Sequence, residues 1–280
     1  MTLNDYKNFF EQQLNGLYDE EERKALLAVV MDEVLNYSRA DMVLKKDEEL
    51  LPEIQIHLTE VVTQLQKEIP VQYIFGKAHF YGYEFKVSPA TLIPRRETEE
   101  LVEWILEAMN RQPQKKWTVL DIGTGSGCIP ITIKKEFSLA EVSAIDISPE
   151  ALSIAEENAH NLNVKIRFIQ QNILETKTLD KYDIIISNPP YVRHLEKAEM
   201  KNNVLRHEPH LALFVENEDP LIFYRKIMQL AKESLTENGV LFFEINQYLG
   251  NEMTELVSEY FDNVILKKDL QGNDRMMKIF

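Results

Sequence analysis

The 280-residue sequence predicts an α/β protein in which an open parallel sheet with flanking helices follows a small helical bundle. Three observations predict it. Apolar residues recur at helical spacing through residues 1–70, and beyond residue 116 short apolar runs alternate with helix-like stretches. Between the first such run and the next helix lies Gly123-Thr124-Gly125-Ser126-Gly127, where the chain can turn sharply and a ligand can approach the backbone.

In the bundle, Tyr6, Phe9, Phe10, Leu14 and Leu17 form one apolar stripe and Leu26, Val30 and Val34 a second. Ile54, Leu58, Val61, Val62, Leu65 and Ile69 form a third, and Pro52 stands where a first helical turn accepts proline. Three or more amphipathic helices follow. Their plain role is structural. The functional role assigned to them is docking a large substrate, because binding away from the reacting group supplies orientation. From 71 to 85, aromatic and β-branched residues alternate around Gly76 and Gly82, which predicts a hairpin. The sequence thus divides into a bundle over 1–70, a hairpin linker over 71–92 and a larger domain over 93–280. Residues 98–109 read as a helix with Leu101, Val102, Ile105 and Leu106 inward. Arg95 and Arg96 before it are either surface charges or reach the mouth of a site.

Residues 117–122 read as the first strand and 128–135 as the helix after the glycine loop. The second strand, 142–147, carries Asp146 near its end, where a carboxylate can accept from both hydroxyls of a ribose. A solvated strand end is the plainer role, and the neighbouring glycine loop favours the ribose. The third strand, 165–169, leads to Asn172, which suits an adenine amino group, and Ile173, which suits the ring. Ordinary loop roles are equally open to both. Asp121 ends the first strand, where it either faces the amino group of a cationic ligand or caps the glycine turn. A dinucleotide is disfavoured, because position 128 is Cys where that fingerprint has its third glycine. S-adenosylmethionine also brings adenosine, and suits the pocket better. Its candidate residues are Asp121, Gly123, Thr124, Gly125, Ser126, Gly127, Asp146, Asn172 and Ile173, with Asn188 at the methyl end.

The fourth strand, 182–186, runs into Ser187-Asn188-Pro189-Pro190-Tyr191. One strand tip thereby gains a side-chain amide, a carbonyl freed because the next residue lacks an N–H, and an aromatic face. Asn188 and the Pro189 carbonyl can each accept one N–H of a planar amide or amino group while Tyr191 packs on its plane. Alone, Asn-Pro-Pro is as readily a turn. The glycine loop upstream shifts the balance, since open parallel sheets bind ligands outside their carboxyl ends where strand order reverses. Asn188, Pro189 and Tyr191 are the candidate catalytic residues, and Pro190 joins them at the substrate. The polar stretch after Tyr191 up to His210 reads as a flexible loop. Residues 220–235 read as a helix, 239–245 as a fifth strand, and 264–267 with 276–280 as a closing hairpin.

Composition narrows the partners. Net charge is −15, and residues 1–70 hold seven Lys/Arg against fifteen Asp/Glu. Duplex nucleic acid is held mainly by cationic contacts to phosphate, so stable nucleic-acid binding is not expected. The single cysteine excludes a disulfide framework and fits a reducing, cytoplasmic setting. The six histidines form no zinc pattern: His207 and His210 flank Glu208-Pro209, and the proline spoils a helical pair. The N-terminal residues lack the basic and apolar regions of a signal peptide, and no apolar run is long enough to cross a membrane.

With these motifs in place, the sequence resembles the class I S-adenosylmethionine-dependent methyltransferases, and within them the bacterial release-factor glutamine N5-methyltransferase family. The likeness extends to Pro70-Val71-Gln72-Tyr73-Ile74-Phe75-Gly76, Phe80-Tyr81-Gly82-Tyr83-Glu84-Phe85 and Leu92-Ile93-Pro94-Arg95-Arg96-Glu97-Thr98-Glu99. It continues through Val204-Leu205-Arg206-His207-Glu208-Pro209 and Asp269-Leu270-Gln271-Gly272-Asn273-Asp274-Arg275. The resemblance implies a seven-stranded Rossmann-like domain with an N-terminal helical bundle, and methyl transfer to the glutamine amide of the Gly-Gly-Gln motif of peptide chain release factors. Two places depart from the family pattern. Val215-Glu216-Asn217 stands where glycines are usual, and Glu244-Ile245-Asn246 stands for Glu-Ile-Gly. The rivals are methylation of an exocyclic amino group of adenine or guanine, for which the same motif serves, and a cofactor-binding regulator without transferase activity.

Overall fold

The computed structural model describes residues 1–280 apart from the side chain of Glu199. The chain divides into two units: Met1–Gly76 with Lys201–His207, and Lys77–Met200 with Glu208–Phe280.

The first unit is helical. Helices Leu3–Leu14, Glu20–Leu35, Arg39–Leu44 and Pro52–Leu65 are each opened by a residue suited to it. Thr2 and Ser38 form capping boxes with Asp5 and Asp41, Asp19 caps the second helix, and Pro52 lies in the first turn of the fourth. Tyr6, Phe10, Leu14, Val30, Leu58 and Val62 meet in one core. Leu17 departs from the expected stripe: the first helix ends at Leu14, Gly16 turns at φ +84°, and Leu17 is exposed. The expected hairpin also starts later. Val71–Phe75 is a short helix after Pro70, closed by left-handed Gly76, whose N–H returns to the Gln72 carbonyl. Aromatic and β-branched residues there satisfy their backbone locally rather than on a partner strand. The stretch expected as a flexible loop contains helix Asn202–His207, which belongs to this unit. Lys201 pairs with Glu22 at 3.0 Å and Arg206 with Glu68 at 2.6 Å.

The second unit opens with a hairpin, Lys77–Phe80 and Tyr83–Lys86. Its two turn residues, Tyr81 and Gly82, both have positive φ, the geometry that matches strand twist. Seven strands then form the main sheet: β1 (Thr118–Ile122), β2 (Glu141–Asp146), β3 (Arg167–Gln170), β4 (Tyr182–Ser187), β5 (Leu235–Glu244), β6 (Val264–Lys268) and β7 (Asp274–Ile279). Their spatial order is β6-β7-β5-β4-β1-β2-β3. β7 is antiparallel to both neighbours and the other pairings are parallel. Both faces are covered. Val119, Ile184, Ile186 and Phe242 pack under Leu101 and Ile105 of helix Arg96–Met109 and Ile131 of helix Cys128–Glu136. Leu120, Ile185 and Phe243 pack under Tyr224 and Ile227 of helix Ile222–Ser234 and Met253 of helix Gly250–Ser258. Alternate residues of each strand therefore serve opposite cores, which is why these strands read as continuous apolar runs.

The chain winds outward from β1 through β2 to β3, then returns to place β4 on the other side of β1. Strand order thus reverses between β1 and β4. At their amino ends Asp183 joins three strands. Its carboxylate accepts from Lys115 Nζ (2.8 Å), the Thr118 N–H (2.9 Å) and hydroxyl (3.0 Å), and the Thr236 hydroxyl (2.9 Å). At their carboxyl ends the Ser187 hydroxyl donates to the Ile122 carbonyl at 2.7 Å. Asp183→Asn, which points an amide N–H₂ at donors, is expected to cost about 2 kcal/mol in urea denaturation. An unchanged midpoint would show that the tie contributes nothing.

Candidate active site

The glycine loop is shaped by its own backbone. Gly123, Gly125 and Gly127 have φ of +79°, +55° and +79°, and the N–H groups of Gly123 and Thr124 both donate to the Ile145 carbonyl, at 2.8 and 3.0 Å. Gly125 N–H donates to Asp146 Oδ2 at 2.8 Å, and Ser148 N–H to its Oδ1 at 3.0 Å. Asp146 thus locks the loop against β2, and each oxygen keeps lone-pair capacity for a further donor.

A cavity of about 470 Å³ lies over the carboxyl ends of the strands. Of the residues proposed from sequence, Gly123, Gly125, Asp146, Asn172, Ile173, Asn188, Pro189 and Pro190 line it. Asp121, Thr124, Ser126, Gly127 and Tyr191 are outside its lining. Asp121 and Thr124 are buried. The Ser126 carbonyl accepts from Asn158 Nδ2 at 2.9 Å, and Gly127 packs against the helices. Asn172 Oδ1 accepts from the Leu174 N–H at 3.0 Å.

Ala90, Thr91 and Leu92, with Pro209, Leu211 and Ala212, also line the cavity. Glu208 connects them: it accepts from the Ile93 N–H at 3.2 Å and from Arg95 at 2.5 Å. The role of Arg95 is therefore a structural ion pair with a buried carboxylate. Both departures from the family pattern bond the segment after Tyr191. Asn217 Oδ1 accepts from the Leu195 N–H at 3.1 Å. Asn246 Nδ2 donates to the Tyr191 carbonyl at 3.0 Å and to both carboxylate oxygens of Glu196.

Sequence reasoning passed over Thr98 and Glu244. Tyr191 donates its hydroxyl to Glu244 Oε1 at 3.0 Å, Thr98 donates to Glu244 Oε2 at 2.6 Å, and Asn188 Nδ2 donates to Thr98 Oγ1 at 3.3 Å. Burial raises Glu244 above the ordinary carboxylate range, against the pull of these hydroxyls and of Arg275. Burial and the adjacent Glu244 likewise keep Tyr191 a neutral phenol. Among the described residues no cluster of three or more His, Cys, Asp or Glu is placed to hold a metal ion.

The strand order and the position of the cavity are those of the class I methyltransferases, whose methyl donor is S-adenosylmethionine. Two family profiles match: the methyltransferase small domain over residues 98–211 and the PrmC N-terminal domain over residues 6–76. The chain is 50% identical over 283 residues to a release factor glutamine methyltransferase of Flavobacterium psychrophilum, covering 100% of this chain and 99% of that one. Its identity to one from Bacteroides thetaiotaomicron is 42% over 278 residues, covering 98% and 99%. The chain belongs to the release factor glutamine methyltransferase family. A solved methyltransferase from Pyrococcus furiosus shares the fold, with a TM-score of 0.51 at 15% identity over 82% of this chain and 98% of that one.

The residues present fit that cofactor. A Cβ added at Gly123 or Gly125 would meet nothing within 4 Å, so both glycines open the backbone to the cavity. Asp121 is fully buried, and neither of its carboxylate oxygens makes a well-formed hydrogen bond; the Thr124 hydroxyl is near enough to lower its pKa but is itself without a well-formed partner. A cationic amino group, directly or through water, supplies what that acid lacks. Burial, with the charge of Asp146 adding to it, pushes the Asp121 carboxyl up to about 7.

Two predictions follow from the loop. Gly127→Ala places a methyl 2.9 Å from Ile131 Cδ1 and 3.0 Å from Ala155 Cβ. It should cost roughly 2–4 kcal/mol in denaturation, whereas Gly125→Ala should cost only ~1–2 kcal/mol from φ strain but weaken cofactor binding at least ~10-fold by calorimetry. Equal stability losses with unaltered binding in Gly125→Ala would refute this division of labour. For Asp121, the folded protein holds the proton up to about pH 7 while the unfolded chain releases it near 3.8. The stability this proton contributes is full below 3.8 and is lost as pH rises through 7. Cofactor-free Asp121→Asn should therefore gain roughly 1–4 kcal/mol on wild type between pH 4 and pH 8. Parallel stability–pH curves for the two proteins would contradict it.

Proposed function

We propose that this chain transfers the methyl group of S-adenosylmethionine to the side-chain amide nitrogen of the Gly-Gly-Gln glutamine in peptide chain release factors, in the cytoplasm where translation terminates. One observation carries the reading: Asn188, Pro189 and Pro190 share a single cavity with Gly123, Gly125 and Asp146. An acceptor pair for N–H groups thus opens onto the space proposed for the methyl donor. The names of the full-length relatives support the same substrate.

The bound cofactor supplies an electrophilic methyl on a sulfonium. Asp146 and the Gly123 and Gly125 backbone hold the nucleoside end, with Asn172 and Ile173 at the adenine, and Asp121 compensates the amino group through the loop floor. Asn188 Oδ1 and the Pro189 carbonyl accept the two N–H groups of the glutamine amide. Tyr191 lies outside the cavity lining, so it reaches the amide plane only where the bound substrate extends past Pro190, and its hydroxyl bond to Glu244 anchors the strand tip. An amide nitrogen is a poor nucleophile because its lone pair is delocalised into the carbonyl. Accepting both N–H groups favours a pyramidal nitrogen and turns that lone pair toward the methyl group. As the N–C bond forms and the S–C bond breaks, a neutral thioether leaves and one amide proton passes to water, so positioning matters more than a strong base. The helical unit is assigned to docking the release factor. Its exposed Val43, Leu44, Leu51 and Ile56 and its acidic excess support a protein partner over a nucleic acid.

Asn188→Ala should lower kcat by roughly 10²-fold or more with cofactor affinity kept within about threefold. Wild type given labelled cofactor with purified release factor or with ribosomal RNA should label only the protein, and mass spectrometry should place the methyl on glutamine. Label in the RNA alone would favour the nucleobase reaction, and near-normal turnover in Asn188→Ala would remove Asn188 from the mechanism.

A further inference from the structure

The acceptor clamp works only if the Asn188 carboxamide points its oxygen, not its nitrogen, at the substrate. An asparagine amide has a donor end and an acceptor end of nearly identical shape, so packing alone sets the choice weakly. Hydrogen-bond directions around Glu244 set it firmly. Glu244 is the last residue of β5 and is fully buried. Each of its carboxylate oxygens receives a different hydroxyl, Thr98 at 2.6 Å and Tyr191 at 3.0 Å. Both hydroxyls are the donors in these contacts, so both hydroxyl protons point toward the carboxyl group. Thr98 has one hydroxyl proton. With that proton committed to Glu244, Thr98 can only accept from its other neighbour, and Asn188 Nδ2 donates to it at 3.3 Å. Asn188 Oδ1 is thereby left on the side away from Thr98.

We propose that Glu244 is a positioning residue for the methyl transfer: through Thr98 it fixes which end of the Asn188 carboxamide faces the substrate, and through the Tyr191 hydroxyl it fixes the ring beside it. One carboxylate thus sets both side-chain elements of the clamp without touching substrate or cofactor. The Tyr191 main chain is held independently by Asn246 Nδ2 at 3.0 Å, so the hydroxyl contact governs the ring rather than the course of the backbone. The proposal rests on the functional reading above.

Glu244→Gln tests it with almost no change of volume. A glutamine has one accepting end, so it can satisfy Thr98 or Tyr191 but not both. With its N–H₂ toward Thr98, the threonine proton turns to Asn188 and the carboxamide reverses. With its N–H₂ toward Tyr191, the phenol loses its acceptor and the ring its anchor. The expected result is a kcat loss of roughly 10²-fold, with cofactor dissociation constant and KM for release factor each within about threefold. Thr98→Val, which removes the hydroxyl at constant shape, should lose kcat similarly, while Thr98→Ser restores it to within about fivefold of wild type. The double variant Glu244→Gln, Thr98→Val should be little slower than the slower single one, as residues acting through one relay are non-additive. Any of three results overturns the proposal: Glu244→Gln within threefold of wild-type kcat, Thr98→Ser as slow as Thr98→Val, or losses in the double variant that multiply. Should Glu244→Gln fold poorly by thermal melting, the serine and valine variants decide alone. Asn188→Ala is measured alongside. If it is fully active, the functional reading fails; if it is impaired while Glu244→Gln is not, only this inference fails.

Discussion

The adjacency of the carboxyl ends of β1 and β4 is the constraint on which the candidate site depends. It arises because the chain winds outward through β2 and β3 and then returns to the far side of β1. No helix covers the gap between two strands whose connections leave in opposite directions, so a crevice opens there. The glycine loop follows one strand end and Asn188 the other, and the Ser187–Ile122 hydrogen bond fixes their separation. Displacing β4 by one residue would turn each of its side chains to the opposite face. The sheet register is therefore also the register of the proposed donor and acceptor.

Two buried acids sit on either side of this crevice and behave differently. Asp121 has only the Thr124 hydroxyl near it, with no well-formed hydrogen bond, and burial holds its proton up to about pH 7. Glu244 is equally buried yet has two hydroxyl donors and Arg275 nearby. The contrast separates an acid short of hydrogen-bond partners from one already satisfied by its neighbours. An unpaired buried carboxylate is costly, and in the proposed reading a cationic group arriving with the cofactor would offset that cost. A carboxylate satisfied from within the protein instead has its hydrogen-bond directions fixed, which is what the proposed positioning role of Glu244 uses.

Much of this was legible in the sequence because the relevant signals are local. The runs at 117–122 and 182–186, the three glycines and the Asn-Pro-Pro-Tyr tip need no knowledge of the rest of the chain. The failures have local causes too. Val71–Phe75 carries strand-forming residues, but Pro70 and left-handed Gly76 close it as a helical turn. β5 begins at Leu235 rather than 239: Leu235 pairs with Tyr182, and polar residues 236–238 fall in a register irregularity before Val240 pairs with Ile184, which hides the start from an apolar pattern. What could not be read was the third dimension of the site. Thr98 and Glu244 are 146 positions apart, and Arg95 and Glu208 113 apart. Each pair lies within quoted motifs, yet only the strand order and helix placement bring the partners together.

The clamp itself does not distinguish a glutamine amide from the exocyclic amino group of a nucleobase, since both present two N–H groups in a plane. Discrimination has to come from how the target reaches the strand ends. A nucleobase must be unstacked and carried in on a phosphate backbone, which calls for cationic surface. This chain carries a net charge of −15, with its helical unit the more acidic part. A glutamine on a protein loop needs no such neutralisation, and its docking can be supplied by apolar and polar contacts remote from the chemistry. In the proposed reading specificity and catalysis are therefore carried by different parts of the chain: the strand ends keep one geometry for every planar nitrogen, and the helical unit is the part proposed to select which one arrives.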